Sequence, residues 1–297
     1  MPETFTAVDL SRLPAPQVVE TLSFETILAE MLADLRARDA TFTATVESDP
    51  AYKVLQVAAY RELLLRARIN DAAKAVLIAY ATGADLDNLG AIMGVQRLLL
   101  AAAIPETGTA AVYESDTDLR RRITLAPEGF SVAGPEGAYI FHALSADPDV
   151  LDASVSSPTP GQVVVTVLSR IAPGTASAPL LAAVTARLND DEVRPLTDEV
   201  IVQSATVTDF TVVATIATYA GPDAAVVLAE SRSRLDAYIA ENHRLGRDVT
   251  RSAIFAALHA GGVQGVTLTQ PAADIVIARS AVANCTAITL THSGVAE

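Results

Sequence analysis

From Asp49 to Arg97 the chain carries apolar residues at helical spacing and has no proline after Pro50, and this stretch constrains the fold more than any other. Asp49-Pro50 reads as an N-cap followed by proline in the first turn, where the missing N–H costs nothing. At about 100° per residue, Val54, Leu55, Ala58, Leu65, Ile69, Ala72, Ala73 and Val76 fall on one broad stripe, predicted to be buried. Tyr60, Leu64, Ala67 and Ile78 form a second apolar strip, set apart by Lys53, Gln56, Asp71 and Lys74. Two apolar faces call for two partners. Glu62 and Arg66 stand one turn apart in the favourable order. Gly83 is the expected left-handed stop. Asp85 is the expected cap of a short helix carrying Leu86, Leu89, Ile92 and Met93, ended by Gly94. An unbroken helix from Ala51 to Tyr80 would span roughly 45 Å, longer than the roughly 30 Å of a small domain, and would need cover from another chain. A break near Asn70-Asp71 would give two helices nearer the usual length of about 11 to 12 residues. Periodicity leaves both open.

The same residues carry a resemblance. The string Ala59-Tyr60-Arg61-Glu62-Leu63-Leu64-Leu65-Arg66-Ala67-Arg68-Ile69-Asn70, followed by Ala79-Tyr80-Ala81-Thr82-Gly83-Ala84-Asp85-Leu86-Asp87-Asn88-Leu89-Gly90, resembles the baseplate J-like family, wedge components of contractile phage tail baseplates. It continues more weakly through Glu114-Ser115-Asp116-Thr117-Asp118-Leu119-Arg120-Arg121-Arg122 and the order of later elements. The resemblance implies a structural part rather than a catalyst. Residues from about Ala51 to Gly94 would bundle with helices of other wedge subunits through Val54, Leu55, Ala58, Tyr60, Leu64, Leu65, Ile69, Ala72, Ala73 and Val76. The carboxyl-terminal units would meet neighbours, further copies of the chain included, around a ring enclosing the central hub. Such a part relays the change that triggers sheath contraction. It is made in the host bacterial cytoplasm and resides in the virion tail baseplate. A tailocin or another contractile injection system would read almost identically.

Whole-chain properties bound the answer independently. At 297 residues, 51% hydrophobic and 19% charged, the chain folds around a substantial core and is expected to hold more than one domain. There is no tryptophan and only 5% of residues are aromatic, so base-stacking platforms are not expected. A net charge of -14 argues against a phosphate backbone as partner. The charges along the long helix exclude a membrane span there, and the apolar run Leu98–Ile104 is too short for one. Met1-Pro2-Glu3-Thr4 lacks the features of a secretory signal, and the single cysteine, Cys285, reads as a small buried residue.

Taken in order, the expected class is α+β: a helical region at 1–104, a helical connection at 105–149, and two small mixed units at 150–207 and 208–297. Met1–Leu13 reads as extended. Ser23 is expected to cap a helix from Phe24 to Asp39 carrying Ile27, Leu28, Met31, Leu32 and Leu35, and Thr41–Ser48 reads as a polar connector. Leu98–Ile104 is a last helical turn or a strand. Asp116 is expected to cap a helix through Thr124, with Arg120, Arg121 and Arg122 on a solvated face. Gly134-Pro135 opens another helix, and Asp147-Pro148 closes it. Val150–Val155 and Gln162–Ser169 read as a hairpin, the second strand covered on both faces because valines occupy both parities. A helix at Ala178–Leu188 and a strand at Glu199–Ala205 complete the first unit. In the second, Phe210, Val212, Ala214 and Ile216 of a strand from Asp209 to Tyr219 face a core. Helices at Pro222–Arg244 and Arg251–His259 follow, then strands at Val263–Thr269 and Thr286–Thr291.

Reactive constellations are scarce. His142, His243, His259 and His292 lack metal-ligand spacing, and neither a phosphate loop nor a nucleophile elbow occurs. No cofactor, metal or small-molecule substrate is expected. Asp190-Asp191-Glu192 and the set Asp147, Asp149 and Asp152 read as solvated loops. Asn284-Cys285-Thr286 fits a glycosylation acceptor only formally. The competing class is a tail-associated, carboxylate-dependent cell-wall hydrolase, which needs two acids across a cleft and sugar-stacking aromatics; the lack of tryptophan weighs against it.

Overall fold

The structure, a computed structural model, describes Leu10 and residues 13–42, 46–221 and 223–296. The expectation for Met1–Leu13 falls largely outside the described residues, as do part of the Thr41–Ser48 connector and Pro222. The described residues form two compact units. One holds the chain up to Arg97 together with Ser115–Arg120; the other holds Leu98–Glu114 and the chain from Arg121 onward. The elements confirm the α+β class.

In the helical unit, α1 (Phe24–Arg38) is capped by Ser23, whose side chain accepts from Thr26 N at 3.3 Å. The long helix α2 (Pro50–Ala75) starts at Asp49, whose carboxylate accepts from Ala51 N at 2.8 Å. It passes through Asn70-Asp71 without a break. Its 26 residues span about 39 Å. Asn70 is buried and faces the preceding extended segment, accepting from Glu20 N at 3.0 Å and donating to Glu20 O at 2.9 Å. The polar residue that suggested a break is therefore satisfied by a backbone far away in sequence.

The far end of α2 differs from the expectation. The helix stops five residues short of Tyr80 because the carbonyls of Ile78 and Ala81 turn toward Arg120, which donates to each at 2.7 Å. Gly83, with φ 53°, opens α3 (Gly83–Ile92) instead of ending α2. Asp85 does not cap α3; the Asp116 carboxylate accepts from Gly83 N at 3.1 Å. Arg97 donates to Asp87 and Asp116 at 2.7 Å each, and its hydrogen bond is the largest cause holding the Asp116 carboxyl below the usual carboxylate range. Gly94 ends α3 at φ 71° as expected.

In the mixed unit, β1 (Leu99–Ala101) pairs antiparallel with β2 (Val112–Tyr113), which decides for a strand after Arg97. Helix α4 (Asp116–Gly129) begins with Ser115 Oγ accepting from Asp118 N at 3.1 Å. It runs past Thr124 and takes Pro127 into its last turn, because Leu125 and Ala126 are buried. Its arginines are not a solvated face. Arg121 pairs at 2.6 Å with Asp152, and Arg122 pairs at 2.5 Å with Glu114, whose side chain is 0% exposed. Glu114 also accepts from Leu98 N at 2.9 Å.

After α5 (Glu136–Ala146), β3 (Val150–Ser156) pairs antiparallel with β4 (Gln162–Ser169). Helix α6 (Ala178–Leu188) leads to β5 (Glu199–Ser204), which lies parallel to β4. The central strand is covered on both faces as expected: Val165 and Val167 pack under α5 and α6, while Leu168 joins Ala205, Leu245 and Val282 on the other side. The second sheet has the order β7 (Val263–Gln270), β6 (Thr206–Thr218), β8 (Ala281–Val295), with β6 and β8 parallel. Helices α7 (Ala224–Asn242) and α8 (Arg251–Leu258) cover the face carrying Val212, Ala214 and Ile216. Strand β8 is much longer than the predicted Thr286–Thr291, because it follows β6 along its whole length.

The two sheets share polar ties. Asp152, predicted in a solvated loop, is buried in β3; beyond Arg121 it accepts from Leu245 N at 3.0 Å. Ser154 Oγ donates to Arg279 O at 2.8 Å, and Arg244 donates to Leu151 O at 2.7 Å. Removing one charge of a buried pair strands the other, a loss of about 3–5 kcal/mol. Glu114→Gln should lower unfolding stability in urea by about that amount, and a loss under about 1 kcal/mol would show that Arg122 does not depend on Glu114.

Candidate functional site

A helix has room for several neighbours, and among the described residues of its own unit one helix packs against α2. Helix α1 lays Phe24, Ile27, Leu28, Met31 and Leu32 against Tyr52, Leu55, Ala59 and Leu63. Tyr52, Ala59 and Leu63 lie on a third side of the helix, between the two strips that periodicity singles out, and Leu55 sits at the edge of the first strip. The stripe predicted to be buried is left open: Val54 is 67% exposed, Leu65 66%, Ile69 56% and Val76 67%. Ala72 beside them is exposed and Ala58 half-buried. Tyr60 and Leu64 stand exposed on the second strip, where Ala67 is half-buried. Leu55 packs against α1, and Ala73 is half-buried. Of the ten predicted partner-binding residues, the structure thus gathers most onto open surface and assigns Leu55 to the internal contact.

Val57, 63% exposed, belongs to the second strip and was not singled out. Its wheel position, about 20° beyond Leu64, is the signal that identifies it. Beside it lies an open depression of about 700 Å³ lined by Phe24, Lys53, Gln56, Val57, Tyr60 and Arg61. Six large apolar side chains exposed on one helix (Val54, Val57, Tyr60, Leu64, Leu65 and Ile69), with Val76 at its C-cap, exceed the scattered apolar surface that needs no explanation.

The titratable groups serve the fold. Among the described residues no group of three His, Cys, Asp or Glu could hold a metal ion. His243 Nδ1 lies 2.9 Å from Ala283 O, and His292 Nε2 lies 3.1 Å from Thr218 Oγ1. Asp190, Asp191 and Glu192 are exposed, as predicted. Tyr139 donates to Asp198 at 2.8 Å; burial and that carboxylate raise its pKa above the ordinary tyrosine value. Burial also pushes the half-buried Cys285 thiol up. No helix among the described residues is long and apolar enough to cross a membrane.

Residues 47–103, which contain all of α2 and α3, match the baseplate J-like N-terminal domain; 131–204 match the central domain and 210–291 the C-terminal domain. The chain belongs to the baseplate J-like family. It is 48% identical over 288 residues to "Baseplate protein J" of Escherichia phage P2, covering 94% of this chain and 95% of that protein. A chain in the cryo-EM structure of the anti-feeding prophage (AFP) baseplate, 6-fold symmetrised, aligns with a TM-score of 0.41 and 15% identity, over 59% of this chain and 43% of that one. As a baseplate J-like protein the chain is a structural protein of a phage tail baseplate.

One buried group makes the stability of this J-like chain depend on pH. His142 is 7% exposed, with Nδ1 3.4 Å from Arg187 Nη2; burial first, and the Arg187 charge second, hold its pKa below 6.5. The folded state favours the neutral ring. Its contribution is complete above 6.5 and is lost as pH falls from there through the folded pKa, because the unfolded chain takes the proton first. The thermal midpoint should therefore fall more steeply from about pH 7 to about pH 5 than that of His142→Gln; parallel curves would contradict this.

Proposed function

We propose that this baseplate J-like chain is a wedge component of a contractile tail. Its residues 1–104 supply a helix to a bundle formed with other wedge subunits, and 105–149 connect that region to the mixed units. The units 150–207 and 208–297 meet neighbouring subunits and further copies around the ring that encloses the central hub. In this role the chain relays the rearrangement that triggers sheath contraction and performs no catalysis of its own.

The observation that carries this reading is the open surface of α2. Apolar area of that kind is stabilised when another chain removes it from water, at about 25 cal/mol per Å² before the costs of association. A bundle lets one helix bury several strips against different neighbours, which suits a helix whose apolar positions surround most of its circumference.

Leu65 and Ile69 are exposed in the free chain, so an aspartate at either should change its own stability by no more than about 0.5 kcal/mol. In a bundle the same charge would be buried without a partner. Leu65→Asp and Ile69→Asp should keep the wild-type circular dichroism and thermal midpoint, while complex formation with the products of neighbouring tail genes weakens about 100-fold or more on size exclusion. Undiminished assembly by both variants would remove the bundle from the proposal.

A further inference from the structure

One end of the first mixed sheet carries apolar residues that the fold leaves outside. Strand β3 ends at Ser156, β4 begins at Gln162 and β5 begins at Glu199, and the antiparallel and parallel pairings put these three termini together. Two connections meet there, 130–135 between α4 and α5 and 189–198 between α6 and β5. Phe130 is 69% exposed, Val132 67% and Leu196 98%. Single exposed apolar residues are ordinary, but these three lie within four residues of one contact between the connections, that of Gly134 with Pro195. A Cβ at Gly134 would come within 2.7 Å of Pro195 Cγ, and its φ of 75° also suits glycine. Hydrogen bonds fix both connections: Tyr139 Oη donates to Asp198 at 2.8 Å, Asp198 N to Pro195 O at 3.2 Å and Glu199 N to Gly161 O at 2.7 Å.

The rim of this patch is acidic. Asp191, Glu192 and Glu199 are exposed within five residues of Leu196, and none holds an ion pair among the described residues. The cations of the same stretch are engaged, Arg194 with Asp198 O at 3.4 Å and Arg187 with Asp190 at 3.7 Å. Resting on the reading that 150–207 meets neighbouring subunits, we infer that this end of the sheet docks on a basic surface of a different tail protein, where an apolar socket rimmed by lysine or arginine receives Leu196, Val132 and Phe130. A patch already ordered loses little freedom when it is covered, so most of the gain from burying its side chains goes into binding. Covered without counter-charges, the three carboxylates would oppose docking; matched by cations, they speed the encounter and select the partner.

The test adds purified full-length chain to an extract of the same phage's tail proteins made without it, and reads the fraction that sediments with the assembled baseplate. Leu196→Ser should keep the wild-type circular dichroism and thermal midpoint, because the side chain it replaces stands in water, and should weaken incorporation at least about ten-fold. Glu192→Lys with Glu199→Lys should weaken it by a similar factor at about 50 mM salt and by clearly less at about 0.5 M. Incorporation unchanged by either alteration, or strengthened by the lysines, would overturn the inference. So would a wild-type chain that sediments as a dimer and is made monomeric by Leu196→Ser, since a second copy would then be the occupant. The underlying reading fails by a different sign: no residue of 150–207 would gain protection from hydroxyl radicals on assembly.

Discussion

A helix with apolar residues around most of its girth cannot be satisfied by one neighbour, and α2 has one within its own unit. Helix α1 takes the side carrying Tyr52, Leu55, Ala59 and Leu63, and the extended chain near Glu20 is held against that side by the Asn70 amide. This leaves two strips facing water. Among the described residues, one helix of 15 residues shields one face of a rod of 26.

The mixed unit answers the same problem differently. Its small sheets bury their faces against α5, α6, α7 and α8, and Asp152, Ser154 and Arg244 make hydrogen bonds across the seam. Asp152 accepts from a side chain and from the backbone of a distant loop, so a carboxylate taken out of water by β3 keeps its partners. The apolar residues that define this unit are consumed internally. Most of those that define α2 are exposed among the described residues, and the proposed bundle rests on that contrast.

The sequence was most informative where the deciding interactions are local. Gln162–Ser169 and Ala178–Leu188 are legible with their true bounds because a run of valines after a proline-glycine turn, a serine cap and a proline in the first turn act within a few residues. The long helix and its apolar strips were equally legible, and so were most of the residues now found on its open surface. What escaped depends on partners far away in the chain. Nothing near Ile78 announces that Arg120 will draw the backbone out of the helix there, and nothing beside Asp152 announces Arg121 and Leu245 N. The three consecutive arginines looked like a solvated cluster because a helix points them in different directions; each direction turned out to hold its own acceptor. Periodicity reports that a face is apolar and not which neighbour reaches it, so the stripe expected to be buried is the one left exposed while α1 covers another side.

Hydroxyl-radical footprinting of Tyr60 and Leu65, in the free chain and in assembled tails, tests the central claim most directly. The account predicts that both side chains react readily in the free chain, where they are 53% and 66% exposed, and are protected in the assembled baseplate. Equal reactivity in the two states would mean that this helix face stays in water throughout, and the reading of α2 as a helix completed by its partners would be wrong.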